Sequence, residues 1–167
     1  VKGVRPLHHY DKDYQSYKVD VRGDQRIFGY EEFNLQKPIT RNYIYEYIFH
    51  KLQKEVGNIS LDYFFVNLET NGIKNGVYAI EEALAKELIE RHKKRFGPII
   101  NTDDRTGEKF PLHSFEARDR LYWQKNNPII LKNAFSILNN FRESDRGYEN
   151  SLDWKKWANF FAVNDLL

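Results

Sequence analysis

Apolar and polar side chains alternate strictly over residues 16–21, with Tyr17, Val19 and Val21 on one side and Ser16, Lys18 and Asp20 on the other. That is the period of a strand with one buried face. Arg22-Gly23-Asp24-Gln25 has turn chemistry and leads into Arg26-Ile27-Phe28 and a glycine, so residues 16–28 predict a hairpin. The Arg-Gly-Asp tripeptide also resembles an integrin-adhesion motif, but glycine between polar residues is what a plain turn requires. From Pro38 the period lengthens. Thr40 reads as an N-cap, Gly57 as the stop, and Ile44, Ile48 and Leu52, with Tyr47 beside them, as the main apolar stripe of a helix. Glu46 and His50 lie one turn apart on a different side next to Phe49, so that side is expected to be partly covered as well.

The stretch LDYFFVNLETNGIKNGVYAIEE sets two β-rich runs around Asn71-Gly72 and Asn75-Gly76, which predicts an antiparallel hairpin with its loop at residues 71–75. A helix over about 82–95 follows on Leu84, Leu88 and Ile89, ended by Gly97-Pro98. Residues 101–128 look polar and irregular, and residues 129–141 and 152 onward read as two more helices. Strands, a helix, a hairpin and then mostly helices make an α+β fold in two parts.

The chain has 167 residues, 41% hydrophobic and 16% aromatic, enough for a sizeable core. No apolar run approaches the ~20 residues of a membrane helix. With 26 basic and 24 acidic residues the net charge is only +2, which argues against a nucleic-acid partner. The absence of cysteine excludes disulfides, thiolate metal sites and a cysteine nucleophile. The chain lacks an initiating methionine and a leader, and its last amphipathic stretch stops without glycine, proline or a basic turn. Both ends therefore read as cut.

Self-contained catalytic signatures are missing: no GxxxxGK[ST] loop, GxSxG elbow, HExxH helix or GxGxxG turn. His8 and His9 with Asp11 and Asp13 do not converge on a metal, because neighbours on an extended strand point to opposite sides. Asp103, Asp104 and Glu108 miss the alternating ligand spacing of a calcium loop. The basic cluster Arg91, Lys93, Lys94 and Arg95, near Phe96 and Phe110, suits the last turn of a helix better than a phosphate contact. Trp154, Trp157, Phe160 and Phe161, spaced by three and four, are expected in the core. One pair stands out by position. Lys18 lies on an early strand and Glu46 in the helix after it, the order in which protein kinases pair a strand lysine with a helix glutamate over nucleotide phosphates.

Several runs resemble the CotH (spore coat protein H) family of atypical protein kinases: VKGVRPLHHYDK, SYKVDV, GYEEFNLQKPITRNYIYEYIFHKLQKEVG, YFFVNLETNG, NGVYAIEEALAKELIE and RFGPII. Their order and spacing follow the family pattern over nearly all of the chain. It departs at Val4 and Arg5, where the family opening carries aspartate and tryptophan, at Ala85, often aspartate, and at Asn34, commonly serine.

The resemblance implies a kinase-like nucleotide-binding lobe with its hinge over 1–100 and the start of a helical lobe over 101–167. It implies ATP as cofactor, with Lys2 and Gly3 covering phosphates, Lys18 as the strand lysine, Glu46 as its partner and Arg41 as a second anion contact. Residues 78–82, ending in Glu82, would run into the hinge that meets the base. Family members carry their catalytic and metal-binding aspartates beyond a helix like the one ending at Leu167. No catalytic or metal residue is therefore assigned in this chain, magnesium or manganese is expected only in the complete domain, and the chain alone is expected to transfer no phosphate. The implied partners are a nucleotide and a protein substrate of a bacterial spore coat, cell surface or secreted location. The competing expectation is a non-catalytic coat or surface protein that uses a kinase-like fold for protein contacts.

Overall fold

The computed structural model describes residues 15–102, 115–143, 149 and 151–167. The expectations placed on Lys2, Gly3, His8, His9, Asp11, Asp13, Asp103, Asp104, Glu108 and Phe110 fall outside them. The architecture is α+β. The chain divides into two compact units, one comprising the described residues through Lys93 together with Lys155–Leu167, the other those from Lys94 to Trp154.

In the first unit, β1 (Tyr17–Asp20), β2 (Glu32–Gln36), β3 (Tyr63–Thr70) and β4 (Ile73–Glu82) form an antiparallel sheet in the order β1-β2-β4-β3. The expected partner of β1 is displaced. Residues 26–28 do not pair with it, and Ile27 makes only an isolated bridge to Tyr30. The partner is β2, with Tyr17 opposite Leu35 and Asp20 opposite Glu32. The polar run at 22–25 turns the chain early, but the next segment able to put alternate apolar residues on the same face as Val19 is Phe33 and Leu35.

The β3–β4 hairpin forms as expected, closed by Asn71 (φ 52°) and Gly72 (φ 78°). Two consecutive positive φ values make the primed turn whose twist matches the strands, and it is tighter than the five-residue loop expected. Replacing Gly72 by alanine is expected to cost about 1 kcal/mol in thermal unfolding, because a Cβ there meets no neighbour but disfavours that backbone region.

Between β2 and β3 the helix begins later than expected. Pro38–Arg41 is a 3-10 turn that ends at Asn42 in the left-handed region, and α1 (Tyr45–Glu55) starts after it. Thr40 is no N-cap, since its hydroxyl donates to the Lys37 carbonyl at 2.7 Å. Gly57 ends α1 as expected, with the Gly57 and Asn58 amides bonded back to the Lys54 and Gln53 carbonyls at 3.0 and 2.9 Å. The helix buries a different side from its apolar stripe. His50 and Gln53 are buried, whereas Ile44 is 59% exposed. The expectation that the Glu46–His50 side is covered holds.

After β4, α2 (Lys86–Arg91) is six residues, much shorter than the 82–95 expected, because β4 continues through Glu82. The last helix, α5 (Trp154–Asp165), meets the end of α1 through polar ties. Gln53 Nε2 donates to the Phe160 carbonyl, Asn58 Nδ2 to the Lys156 carbonyl and Asn159 Nδ2 to the Val56 carbonyl, at 3.3, 3.2 and 3.0 Å. Its aromatic residues are not the core expected. Trp157, Phe160 and Phe161 are all more than a third exposed, and Val163 is the buried residue.

The second unit holds the antiparallel pair β5 (Ile100–Thr102) and β6 (Phe115–Ala117), then α3 (Arg120–Asn126) and α4 (Pro128–Glu143). The supposedly irregular 101–128 therefore contributes strands and a helix. Ala117, Trp123 and Leu131 form the core, with Phe96, Ile100 and Phe135 against it.

Candidate functional site

Antiparallel register decides which side chains share a face of the sheet. Lys18 stands opposite Asn34, Asn34 opposite Glu81, and Glu81 opposite Tyr63, so these four form one row across all four strands. Gln36 lies on the same face, two residues along β2. The opposite face is apolar: Phe33 and Ile80 pack with Tyr30, Val19, Leu35, Phe64 and Val66. Helix α1 covers the polar face, where the Tyr47 and Phe65 rings lie 5.8 Å apart and His50 stacks on Tyr63 at 5.9 Å.

A helix packed on a sheet normally buries apolar side chains. Here Asn34, Gln36, Glu81 and His50 are all buried, a costly choice unless their polar groups are engaged. Most are. Asn34 Nδ2 donates to Glu81 Oε2 at 3.2 Å, Gln36 Nε2 also donates to Glu81, and Arg41 Nε donates to Gln36 Oε1 at 2.7 Å. Asn34 Oδ1, His50 Nε2 and the Tyr63 hydroxyl have no hydrogen-bond partner among the described residues. Burial, with the negative charges of Glu46 and Glu81 nearby, pushes the Tyr63 phenol well above its ordinary range.

Lys18 and Glu46, expected to meet, do not. The Lys18 ammonium sits between Asp20 and Glu32 at 3.0 and 2.9 Å, and those carboxylates hold its pKa above the ordinary value. It belongs to one edge strand, while α1 packs on the other edge strand, β3, three strand spacings or ~14 Å away. The sequence could not show this, because the sheet order inserts β2 and β4 between them. Glu46 instead pairs with His50, Nε2 to Oε1 3.5 Å. Interaction with His50, helped by the Arg41 charge, lowers the Glu46 pKa against the raising effect of burial. Arg41, from the 3-10 turn, is the cation whose field reaches Glu46, while its own hydrogen bond goes to Gln36.

Glu82 is 2% exposed and its carboxylate is committed to the fold. It accepts from the Asp62 amide at 2.9 Å and pairs with Arg91, which also reaches Asp62 Oδ1 at 2.8 Å, and the Tyr30 hydroxyl donates to Asp62 Oδ2 at 2.9 Å. Arg91 is thus bound into an ion network and is not part of a free basic cluster.

Ser60, His50 and Glu46 stand in the order of a hydrolytic triad, with Ser60 Oγ 3.3 Å from His50 Nδ1. The Ser60 hydroxyl is buried and donates to the His50 carbonyl at 2.7 Å, so it is a structural hydroxyl and not an accessible nucleophile. Sequence reading missed Asn34, Gln36, Glu81 and Tyr63. Polar residues at alternate positions of a strand beneath a helix were the available signal.

The sequence profile of the CotH kinase protein family matches residues 8–167. The chain belongs to this family. No curated protein and no solved structure matches it. Membership in the CotH kinase family carries a kinase-like function in general, with nucleotide, divalent metal and a protein substrate as its usual requirements. Among the described residues no group of three or more His, Asp or Glu side chains is placed to hold a metal ion, and no helix is long and apolar enough to cross a membrane.

Proposed function

We propose that this chain is the nucleotide-holding part of a CotH-type protein kinase, which transfers phosphate from ATP to a protein hydroxyl, and that the polar face under α1 receives the phosphates. The observation that carries this reading is the buried row of Asn34, Gln36, Glu81 and Tyr63 with Arg41 beside it, in which Asn34 Oδ1 and the Tyr63 hydroxyl are left without partners among the described residues, as is His50 Nε2 on the helix above. Such atoms are costly in an interior that holds only protein, and they suit a face completed by a polar ligand or ordered water.

Arg41 supplies the cation. Its Nε is fixed by Gln36, and its terminal nitrogens have no hydrogen-bond partner among the described residues, which leaves a planar donor pair for an anionic oxygen. The charge of Glu46 lies within reach of that guanidinium, and Lys18, at the far end of the row, is a second cation once released from Asp20 and Glu32. Glu82 acts through the backbone at the end of β4, its carboxylate pinning that strand end. ATP supplies the phosphoryl group. These residues bind and orient it, and the metal-holding groups of this reading belong to the complete domain. Lys2 and Gly3 remain its proposed phosphate cover.

A second reading, a non-catalytic protein of a coat or cell surface, is favoured by a separate feature. An open groove of about 550 Å³ is lined by Lys37 and by Pro38, Ile39, Tyr43, Ile44, Phe65 and Val77, a mostly apolar surface of the kind found at protein contacts.

Calorimetric titration with ATP tests the first reading. Weak but measurable binding is expected, and Arg41→Ala reduces affinity about tenfold, the worth of a charge-assisted contact of ~1.5 kcal/mol. Labelled ATP with a generic acceptor protein should yield no transfer by this chain. Absence of binding at millimolar nucleotide would shift the reading to the coat or surface protein.

A further inference from the structure

We propose that His50 is the positioning residue of this site, holding Glu46 at the polar face, within the field of Arg41, and linking α1 to the end of β4. The proposal rests on the nucleotide reading of the polar face and adds how that face is kept in shape.

The His50 ring is clamped by Tyr63 at 5.9 Å and by the edge of Phe49 at 5.3 Å, so packing fixes its plane. Phe49 is in turn met edge-on by Phe160 at 6.0 Å. Nδ1 faces the Ser60 hydroxyl at 3.3 Å, and that hydroxyl is anchored on the His50 carbonyl. Nε2 is then directed at Glu46 Oε1, 3.5 Å away. At that distance Nε2 counts among the buried atoms without a hydrogen-bond partner.

On the other side, Ser60 joins His50 to the end of β4. The Ser60 amide and carbonyl lie 3.2 and 3.0 Å from His92 Nε2, and its carbonyl also accepts from Arg91 Nη2 at 3.3 Å. Arg91 holds Glu82. An unbroken series of contacts therefore runs from Glu46 through His50, Ser60 and Arg91 to Glu82, the two ends being the helix carboxylate beside Arg41 and the last residue of β4. The titratable and charged groups around His50 are Glu46, Tyr47, Lys51 and Lys54 on its own helix, Tyr63 on β3, Asp62 just before it, and His92 and Arg91 reached through Ser60. Glu46 is the group within ion-pair distance of its ring.

Two substitutions separate positioning from packing. His50→Phe keeps the ring between Tyr63 and Phe49, and the backbone carbonyl that holds Ser60, but removes both nitrogens. His50→Gln gives up the ring but returns an N–H near the place of Nε2. Two readouts are taken on each: affinity for ATP, and the carboxyl titration of Glu46 followed by carbon NMR on the nucleotide-free chain.

His50→Phe is expected to lower ATP affinity about five- to tenfold and to move the Glu46 titration upward, since the largest influence lowering it has gone. His50→Gln is expected to bind ATP within about twofold of the parent chain and to keep most of the lowered titration. The order reverses if His50 matters only as packing, for then the phenylalanine variant would be the better binder, and that result overturns the proposal. An unmoved Glu46 titration in His50→Phe overturns it too. If the parent chain binds no ATP while the Glu46 titration still follows the two variants as expected, the positioning role stands and the nucleotide reading fails.

Discussion

Arg91→Leu is expected to lower the stability of the sheet-bearing unit by about 3 kcal/mol at neutral pH, with the loss shrinking as the pH falls. The magnitude follows from what remains. Arg91 is partly exposed, but Glu82, its partner, is almost wholly buried, and removing one member of a buried pair leaves an uncompensated charge that costs roughly 3–5 kcal/mol. The exposed share of Arg91 and of Asp62 puts the estimate at the low end.

The pH dependence has a definite sign. Burial already raises the Glu82 pKa, while Arg91 and the Asp62 amide oppose that shift. Without Arg91 the folded-state pKa rises further. A carboxyl whose pKa is raised on folding contributes stability that is fully present below its unfolded value, ordinarily ~4.3, and is lost as the pH climbs through the folded value. The variant's deficit is thus largest at neutral pH and smaller at pH 5, because the carboxyl is then closer to taking up a proton and being buried neutral. Urea unfolding of both proteins at the two pH values checks this. A deficit that grows toward acid would mean that the charged Glu82 is satisfied without Arg91.

The second large effect falls in the other unit. Trp123→Ala should destabilise it by about 3–5 kcal/mol, the range for emptying a buried aromatic position in a core that cannot close over the space. Trp123 is 2% exposed, its ring lies 4.9 Å from Phe96 and 5.4 Å from Tyr122, and the residues around it come from a pair of three-residue strands and two helices. So small a core has little to redistribute. Near-ultraviolet circular dichroism during thermal unfolding reports on the tryptophan environment, and hydrogen exchange in β5, β6 and α3 localises the loss. Exchange in those elements unchanged from the parent chain would remove Trp123 from the core.

Local chemistry was legible wherever short-range rules suffice. Asn71-Gly72 closes a hairpin because both positions tolerate positive φ. Gly57 ends α1 because a left-handed residue there returns two amides to the last turn. The 129–141 helix formed, extended by one residue at its start and two at its end, and the family runs pointed to the CotH kinases. The covered side of α1 was also visible, from an aromatic residue set beside Glu46 and His50.

The site required the tertiary structure. Lys18 and Glu46 follow one another along the chain in kinase order, yet pairing β1 with β2 and β2 with β4 sends them to opposite edges of the sheet, and sheet order is a long-range choice that no local period encodes. Strand β2 was overlooked because its five residues are brief and two of its buried side chains, Asn34 and Gln36, are polar. A polar side chain is buried only when partners distant in sequence meet it: Glu81 lies 47 residues from Asn34. The sequence by itself determined the 71–72 turn, the Gly57 stop of α1, most elements and family. The fixing of Arg41 by Gln36, the burial of the polar row and the commitment of Glu82 to Arg91 were decided by packing, because each depends on which strand lies next to which.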